Sequence, residues 1–280
     1  MFELRKKGGV EYFAATAWDA FPWLSHAFCT RRGGVSSGAY GTLNMSSREG
    51  EEETTVRANW DIAAAAFGLS RRQFFRVSQV HGDKVLVIDD GARITSSCRP
   101  LEYDAVITSR TGLAVCVLTA DCVPVLMTDP VRRLVAAVHA GWRGTALNIS
   151  GQVLALCKER FGSRPEDIRT AIGPAIGPCC YEVDDTVRAA MVRHPARDAC
   201  FSAGPEKGKW QLDLPLANRL QLEAAGIPGE NIQMARLCTS CRPGEFYSHR
   251  GAGGKTGRLL NFILVHDHGQ PAAGPAATAC

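Results

Sequence analysis

The sequence predicts an α/β (α+β) protein in which mixed β-sheets pack together with flanking helices. Short β-type runs outnumber the helix patterns, and several neighbouring runs are separated by only a few residues. The segment DPVRR, residues 129–133, is one such hairpin-type connection. Hairpins join antiparallel strands, whereas a regular βαβ array needs a crossover between successive strands. We therefore expect mixed sheets instead of one parallel sheet.

The strands are predicted from runs of apolar and β-branched residues that are bounded by turn residues. One short strand is expected within residues 1–24. The other predicted strands are FFRVSQV (74–80), KVLVID (84–89), DAVITS (104–109), LAVCVLT (113–119), VPVLMTD (123–129), LVAAVHA (134–140) and residues 168–172, 232–237 and 259–265.

The helices are predicted from charge placement and from the glycines that close them. The segment 51–68, EEETTVRANWDIAAAAFG, has glutamates in its first turn, where they complement the helix dipole, and a glycine after its last turn. Further helices are expected at about 145–160, closed by Gly162, at 184–193, and at 215–225, closed by Gly226. The Gly/Ser-rich segment 29–44 is predicted to be a loop.

Composition indicates a globular protein of the cytoplasm. The chain has 280 residues, 45% hydrophobic and 21% charged, which is ordinary for a protein with a sizeable core. The net charge of +4 is small and the basic pairs are scattered, so no nucleic-acid partner is expected. The sequence shows no signal-peptide pattern and no membrane-spanning apolar run. Eleven cysteines, an odd number, favour reduced thiols.

The chain is predicted to contain one catalytic domain, residues 1–265, and to be monomeric. No internal repeat or long linker divides this region. The segment 266–280 is rich in Ala, Gly and Pro, and we expect it to be a disordered tail.

Three polar motifs interrupt the β-type runs beside Gly or Pro. SQVHGDKV contains His81, LTADCVPVL contains Asp121 and Cys122, and VHAGWRGT contains His139 at the end of a strand. Each residue alone is more often structural than functional. Together, two imidazoles and one thiolate suit zinc, and three protein ligands leave a fourth position open, as in catalytic sites. Copper is a second candidate, because histidine and cysteine also suit it.

Two other cysteine pairs are not assigned to a metal. Cys238 and Cys241 form a CxxC motif without a second pair or a histidine at finger spacing, so we interpret it as structural or redox-inert. Cys179 and Cys180 are adjacent. We expect at most one of these two to face a site, and we predict neither as a ligand.

The motifs carry a resemblance to a known family. The blocks TRRGGVSSGAYGTLN, QVHG, TADCVPVL, HAGWRGT and GPAIGPCCYEV resemble, in order, those of the YfiH family, also called the laccase-domain or multicopper polyphenol oxidase family. This family includes peptidoglycan editing factors and purine nucleoside phosphorylases. The resemblance covers roughly residues 28–265 and implies a single YfiH-like domain with zinc held by His81, Cys122 and His139.

The resemblance also implies an activity. Its substrates would be phosphate and the purine nucleosides adenosine, inosine, guanosine and methylthioadenosine, with adenosine deamination in addition. This chain departs from the family near its end, where FYSHRGAGGKTGR has His249 and Gly251 in place of a tyrosine and an arginine. Specificity or rate would differ if that element touches the substrate.

Other residues in these blocks are candidates for catalysis or substrate binding. Arg31 precedes two glycines whose loop amides could bind an anion, and the Arg143 guanidinium suits phosphate; a structural ion pair stays open for both. Tyr181 would stack on a purine, bond a ribose or pack in the core. Asp121 would support a ligand or transfer a proton. Weaker candidates for polar contacts are Asn44 and Gln79.

Three other functions stay open. Cys122 could be the nucleophile of a metal-free hydrolase in peptidoglycan editing, with His139 or His81 as its base. Copper-dependent polyphenol oxidation is the second alternative, although seven histidines, two of them in the tail, are few for several coppers. The third is a non-enzymatic role in cell-wall editing with a vestigial site.

Overall fold

The computed structural model describes residues 1–89 and 101–267. The predicted disordered tail therefore lies almost wholly outside the described residues. The described strands form two six-stranded sheets and one three-stranded sheet. In chain order the strands are β1 (Phe2–Lys7), β2 (Val10–Ala15), β3 (Leu24–Cys29), β4 (Phe74–Arg76), β5 (Val85–Ile88), β6 (Ala105–Thr108), β7 (Ala114–Thr119), β8 (Val123–Asp129), β9 (Leu134–Ala140), β10 (Arg169–Ile172), β11 (Glu182–Asp184), β12 (Phe201–Ala203), β13 (Lys209–Leu212), β14 (Ile232–Met234) and β15 (Leu259–Val265).

Both large sheets are mixed. The first has the order β1-β2-β3-β15-β7-β4 and is antiparallel except for the pair β4–β7. The second has the order β14-β10-β8-β9-β6-β5, with parallel pairs at its two edges, β10–β14 and β5–β6. The DPVRR segment joins β8 to the antiparallel β9, so the hairpin prediction is confirmed.

The four predicted helices lie close to their predicted positions, but one of them is divided and the short helix Arg197–Cys200 was not predicted. The predicted helix 145–160 is two helices, because Asn148 adopts a left-handed backbone (φ 60°) and caps the second by accepting from the Gly151 amide. Gly68 closes the first helix in the left-handed conformation that glycine adopts without strain. In chain order the helices are α1 (Glu53–Phe67), α2 (Trp142–Ala146), α3 (Ile149–Phe161), α4 (Asp185–Ala190), α5 (Arg197–Cys200) and α6 (Leu214–Ala224).

The two large sheets pack face to face, and helices cover their outer faces. Phe28 of β3 and Leu126 of β8 belong to the central core between the sheets. Trp60 of α1 packs in the core on the outer face of the first sheet. Val153 of α3 and Leu222 of α6 pack on the outer face of the second. Mixed sheets with flanking helices, as predicted, are confirmed, and apolar burial on both sides of each sheet stabilises the layers.

The strand predictions were wrong in three places. Residues 1–24 hold a β1–β2 hairpin and the start of β3, and the small sheet β11-β13-β12 was not predicted. The predicted strand 74–80 ends at Arg76, and the Gln79 side chain instead bonds the amide and carbonyl of Leu118 in β7. The predicted strand 232–237 ends at Met234, since Arg236 has a positive φ of 52°.

No helix among residues 1–89 and 101–267 is long and apolar enough to cross a membrane.

Candidate metal centres

The β8–β9 hairpin brings two of the three predicted ligands together. Pro124 pairs with His139 and Val123 with Ala140, so Cys122, one residue before β8, lies at the end of β9 that carries His139. His81 comes from the loop between β4 and β5 and has a positive φ of 61°. That backbone conformation is uncommon outside glycine, and residues that adopt it are enriched at functional sites.

His81, Cys122 and His139 form a compact cluster. Their ligand atoms all lie within 4.8 Å of one another, and the two imidazole rings are nearly perpendicular with centroids 4.8 Å apart. His139 is buried, Cys122 is half-buried and His81 is exposed, so the cluster opens to solvent on the His81 side. Two imidazole nitrogens and one thiolate fit zinc, and they also fit copper. The three side chains can therefore hold a metal and leave room for a further ligand.

Asp104, which was not predicted from the sequence, binds His139 and the loop that carries His81. Its carboxylate is fully buried and lies 2.8 Å from Nδ1 of His139. It also accepts hydrogen bonds from the backbone amides of His81 and Gly82, at 3.0 and 2.7 Å. One carboxylate thus fixes the His139 tautomer, so that Nε2 is the nitrogen left for a metal, and anchors the loop that carries His81. The available signal was an acidic residue directly before a buried strand.

Electrostatics favour the thiolate of Cys122. Burial alone would raise the pKa of this thiol, but the His139 and His81 imidazoles outweigh burial and lower its pKa to about 6. The pKa of His139 is raised above its ordinary value, because Cys122 and Asp104 outweigh its own burial. The thiolate is the form that binds metal or acts as a nucleophile, so the pair is prepared for either role.

Gly141 allows the backbone to approach the cluster closely. A Cβ at this position would lie 3.1 Å from Sγ of Cys122 and 3.2 Å from Cδ2 of His81. Both distances are shorter than ordinary contacts to a Cβ, so any side chain here would displace the cysteine and the histidine.

Asp121, a candidate for catalysis, is engaged by neighbouring loops. Its Oδ1 accepts a hydrogen bond from the Thr239 hydroxyl at 2.6 Å, and its Oδ2 accepts one from the Arg250 amide at 2.7 Å. Its backbone φ of 90° is in the left-handed region. The carboxylate therefore fixes the conformation of the residue directly before Cys122. Arg250 belongs to the FYSHRG segment, so this departing segment contacts the loop that carries Cys122, while His249 beside it is exposed.

Two further candidates are Arg143 and Tyr181, of which Tyr181 lies within electrostatic range of Cys122. Arg143 is exposed, its guanidinium stacks 4.3 Å from the Trp142 ring centroid, and it forms no ion pair with any residue in the described ranges. Tyr181 is half-buried, and the Arg250 guanidinium lies over its ring, 5.3 Å from the ring centroid. Burial and nearby Cys122 raise the pKa of the Tyr181 phenol, and Arg250 and Arg143 oppose this. Cys122, Arg143 and Arg250 therefore all lie close enough to Tyr181 to influence its phenol.

Arg31 is held by its own loop. Its guanidinium donates to the backbone carbonyls of Gly41 at 2.6 Å and Pro243 at 2.8 Å, with a longer contact to Ala39. It also lies over the Tyr247 ring, 4.5 Å from the centroid. The bond to Pro243 joins the loop 29–44 to a C-terminal loop, so Arg31 has a structural role in holding the two together.

Asn44 and Gln79 are likewise bonded to protein groups. Asn44 is fully buried, and its side chain bonds both polar backbone groups of Ser46 and accepts from the Arg258 amide at 2.8 Å. The Gln79 amide pairs with the Leu118 backbone at 2.8 Å in both directions. The structure gives both amides a role in holding loops and strands together.

A second cluster contains only cysteines. The Sγ atoms of Cys179, Cys180, Cys238 and Cys241 all lie within 4.8 Å of one another. Both adjacent cysteines face this cluster, so the expectation that at most one of them faces a site was wrong. Cys179 and Cys180 also supply the second pair that Cys238 and Cys241 lack at finger spacing, while the interpretation of Cys238 and Cys241 as structural or redox-inert stays a prediction. The turn at Gly177, to which Cys180 and Tyr181 donate, presents both thiols on one side. Sequence spacing could not show this, because the two pairs are far apart in the chain.

A cavity of about 300 Å³ lies beside the second cluster. Its walls include Leu216 of α6, Met234 of β14, and Cys179 and Cys238. His81, Cys122 and His139 do not line it. The cavity is thus separate from the three-ligand cluster.

The comparisons with known proteins show the family of this chain. The chain belongs to the family described as multi-copper polyphenol oxidoreductase laccase, whose family model matches residues 25–266. This is a family of enzymes in which several relatives are named purine nucleoside phosphorylase. The match includes all seven residues of the two clusters.

Particular relatives are similar over most of the chain. The purine nucleoside phosphorylase YlmD of Geobacillus stearothermophilus is 40% identical over 240 residues, which are 84% of this chain and 87% of the relative. The adenosine deaminase RL5 of an unknown prokaryotic organism is 35% identical over 85% of this chain and 92% of the relative. The crystal structure of YlmD from G. stearothermophilus has a TM-score of 0.87 at 34% identity, covering 95% of this chain and 99% of that one.

Proposed function

We propose that this protein is a zinc-dependent purine nucleoside phosphorylase that accepts adenosine, inosine, guanosine and methylthioadenosine, and that it also deaminates adenosine. The observation that carries the proposal is the cluster of His81, Cys122 and His139, buried on one side and open on the other. The similarity to YlmD supports the phosphorylase activity, and the similarity to RL5 supports the deaminase activity. Residues 1–265 act as one catalytic domain in this proposal.

The donor set fits zinc. His139 offers Nε2 because Nδ1 is bonded to Asp104, and Cys122 favours its thiolate form. Gly141 keeps the space beside both Cys122 and His81 clear. When bound, zinc supplies Lewis-acid chemistry at the open position of the cluster.

Phosphorolysis transfers the ribose from the purine to phosphate. A phosphate oxygen forms a bond to the anomeric carbon, the glycosidic bond breaks, and the purine leaves with the bonding electrons and takes up a proton. Arg143 holds the phosphate, because its exposed guanidinium is already oriented by Trp142. Tyr181 contacts the nucleoside at the rim of the cluster. Asp121 positions the Cys122 loop, since both of its carboxylate oxygens accept hydrogen bonds from protein groups.

The test is phosphate-dependent release of adenine from adenosine by the purified, zinc-loaded protein. Cys122→Ala and His139→Ala are expected to reduce the rate to background, because each removes a ligand. Cys157→Ala is the matched control, since this thiol of α3 is buried in the core and belongs to neither cluster. Full activity in the Cys122→Ala protein, or no phosphate dependence in the wild type, would overturn the proposal.

A metal-free hydrolase acting in peptidoglycan editing is the second candidate. Cys122, His139 and Asp104 are arranged as a nucleophile, a base and the carboxylate that orients the base, with His139 Nδ1 2.8 Å from Asp104. Activity that survives complete metal removal but is lost with iodoacetamide would favour this candidate over the zinc enzyme.

Copper-dependent polyphenol oxidation has weaker support. Residues 1–89 and 101–267 contain two clusters that could hold a metal, and only the cluster of His81, Cys122 and His139 includes histidine. Several copper ions would need more imidazole ligands than these two.

A further inference from the structure

The four-cysteine cluster lies outside the proposed catalytic site. Cys179 and Cys180 come from the loop before β11, and Cys238 and Cys241 come from the loop after β14. Cys241 lies 3.4 Å from both Cys179 and Cys180, measured between sulfurs. All four ligand atoms lie within 4.8 Å of one another.

These separations match a single tetrahedral metal ion. Zinc–sulfur bonds of about 2.3 Å place the sulfurs of a tetrahedral site about 3.8 Å apart. A disulfide would need about 2.05 Å between two of them. Four thiolates without an open position are the donor set of structural zinc sites. The observed arrangement is near that geometry before any ion is added.

The surrounding backbone supports a thiolate cluster. The Gly177 amide donates to Sγ of Cys238 at 3.3 Å, a bond of the kind that stabilises metal-bound sulfur. A Cβ at Gly177 would meet Cβ of Cys238 at 3.4 Å and Sγ of Cys179 at 3.5 Å, which are ordinary contact distances, so Gly177 lies directly beside both cysteines. The two loops also pair directly, through a parallel bridge between Ala175 and Cys238.

Both loops contact the residue before Cys122. The Ile176 amide donates to the Asp121 carbonyl at 2.9 Å, and the Thr239 hydroxyl donates to the Asp121 carboxylate at 2.6 Å. A link between the loops therefore also fixes the segment from which Cys122 projects.

We propose that Cys179, Cys180, Cys238 and Cys241 bind a second zinc ion, which has a structural role and clamps the two loops behind the Cys122 segment. Binding displaces the protons of the four thiols, so that each sulfur ligates as a thiolate. This site stands independently of the proposed function, because its geometry and its measurement involve no substrate.

The experiment measures zinc content by mass spectrometry of the full chain, expressed with added zinc under reducing conditions and then desalted. We expect two zinc ions in the wild type and one in Cys238→Ser/Cys241→Ser. His81→Ala/His139→Ala should also retain one ion, at the four-cysteine site. The control Cys157→Ala should retain two. One ion in the wild type that is lost in His81→Ala/His139→Ala would overturn the proposal.

A second measurement covers the case in which the double cysteine variant fails to fold. Cobalt is added to His81→Ala/His139→Ala, which leaves the four-cysteine cluster as the intended binding site. Strong sulfur-to-cobalt charge transfer with tetrahedral ligand-field bands is the expected spectrum. An octahedral spectrum without charge transfer, or an intact mass showing disulfides among these cysteines in freshly reduced protein, would contradict the proposal.

Discussion

The two clusters differ in how the chain holds their side chains. His139 lies in β9, Cys122 directly precedes β8, and buried Asp104 fixes the orientation of His139. The four cysteines lie in loops, where Cys179 and Cys241 are exposed. Three protein ligands with an open position are typical of catalytic zinc sites, whereas four cysteine ligands are typical of structural zinc sites. The sheet thus preorganises the three-ligand cluster, whereas the cysteine cluster would itself hold its loops together.

The largest effect is expected from removing the Asp104 carboxylate, which orients His139 in the three-ligand cluster. Asp104→Asn is expected to weaken zinc binding at His81, Cys122 and His139 by about 10–100-fold, the usual cost of losing an outer carboxylate. Competition with a chelator of known affinity measures this. Zinc at the cysteine cluster should be unchanged.

The matched control for this change is Asp129→Asn. Asp129 is also buried and lies at the opposite end of β8, where it accepts from the Val131 and Arg132 amides. An equal loss of zinc in both variants would show that Asp104 acts only through general stability of the sheet.

A smaller effect is expected from removing the hydrogen bond between Thr239, beside the cysteine cluster, and Asp121, beside Cys122. Thr239→Val leaves a buried oxygen of Asp121 without its hydroxyl partner, so the free energy of unfolding should fall by about 1–3 kcal/mol. Chemical denaturation measures this change, and metal analysis should still find both sites occupied. Ser240→Ala is the control, because Asp121 keeps both of its partners. Unchanged stability in Thr239→Val would mean that this bond does not join the clusters energetically.

The remaining effect appears only in acid and concerns His26, a buried histidine outside both clusters. Burial lowers its pKa from 6.5 to about 3, so the folded chain keeps it neutral while the unfolded chain takes up a proton below pH 6.5. Its contribution to stability therefore declines as the pH falls, by about 1.4 kcal/mol per pH unit between pH 6 and pH 4.

The measurement compares wild type with His26→Gln by denaturation across this range. Metal release in acid affects both proteins, so their difference isolates His26. We expect the difference to shift in favour of the variant as the pH falls. A constant difference would assign the acid sensitivity to the clusters instead.

Sequence patterns predicted the elements that contain strong local signals. The apolar runs predicted β8 and β9. The polar motifs identified His81, Cys122 and His139, which the structure brings together. The roles of Arg31, Asn44 and Gln79 could not be predicted, because the sequence does not show which distant group a polar loop residue will bond. In the structure these partners are distant backbone groups, such as the Pro243 carbonyl for Arg31.

Asp104 and the cysteine cluster were missed for a related reason. Asp104 contacts His139 through sheet pairing between β6 and β9, which the sequence does not specify. The two cysteine pairs meet only because β10 and β14 are parallel neighbours whose following loops lie side by side. Long-range pairing of this kind requires the assembled sheet.

The β8–β9 hairpin has a consequence for the order of events during synthesis. Cys122 and His139 are 17 positions apart in the chain, whereas Cys179 and Cys238 are 59 positions apart. Contacts that are close in sequence form with a smaller loss of chain entropy and generally earlier than distant ones. The thiol and imidazole that face the open position can therefore meet while the ribosome is still making the second half of the chain. Closure of the four-cysteine cluster must wait until Cys241 has emerged.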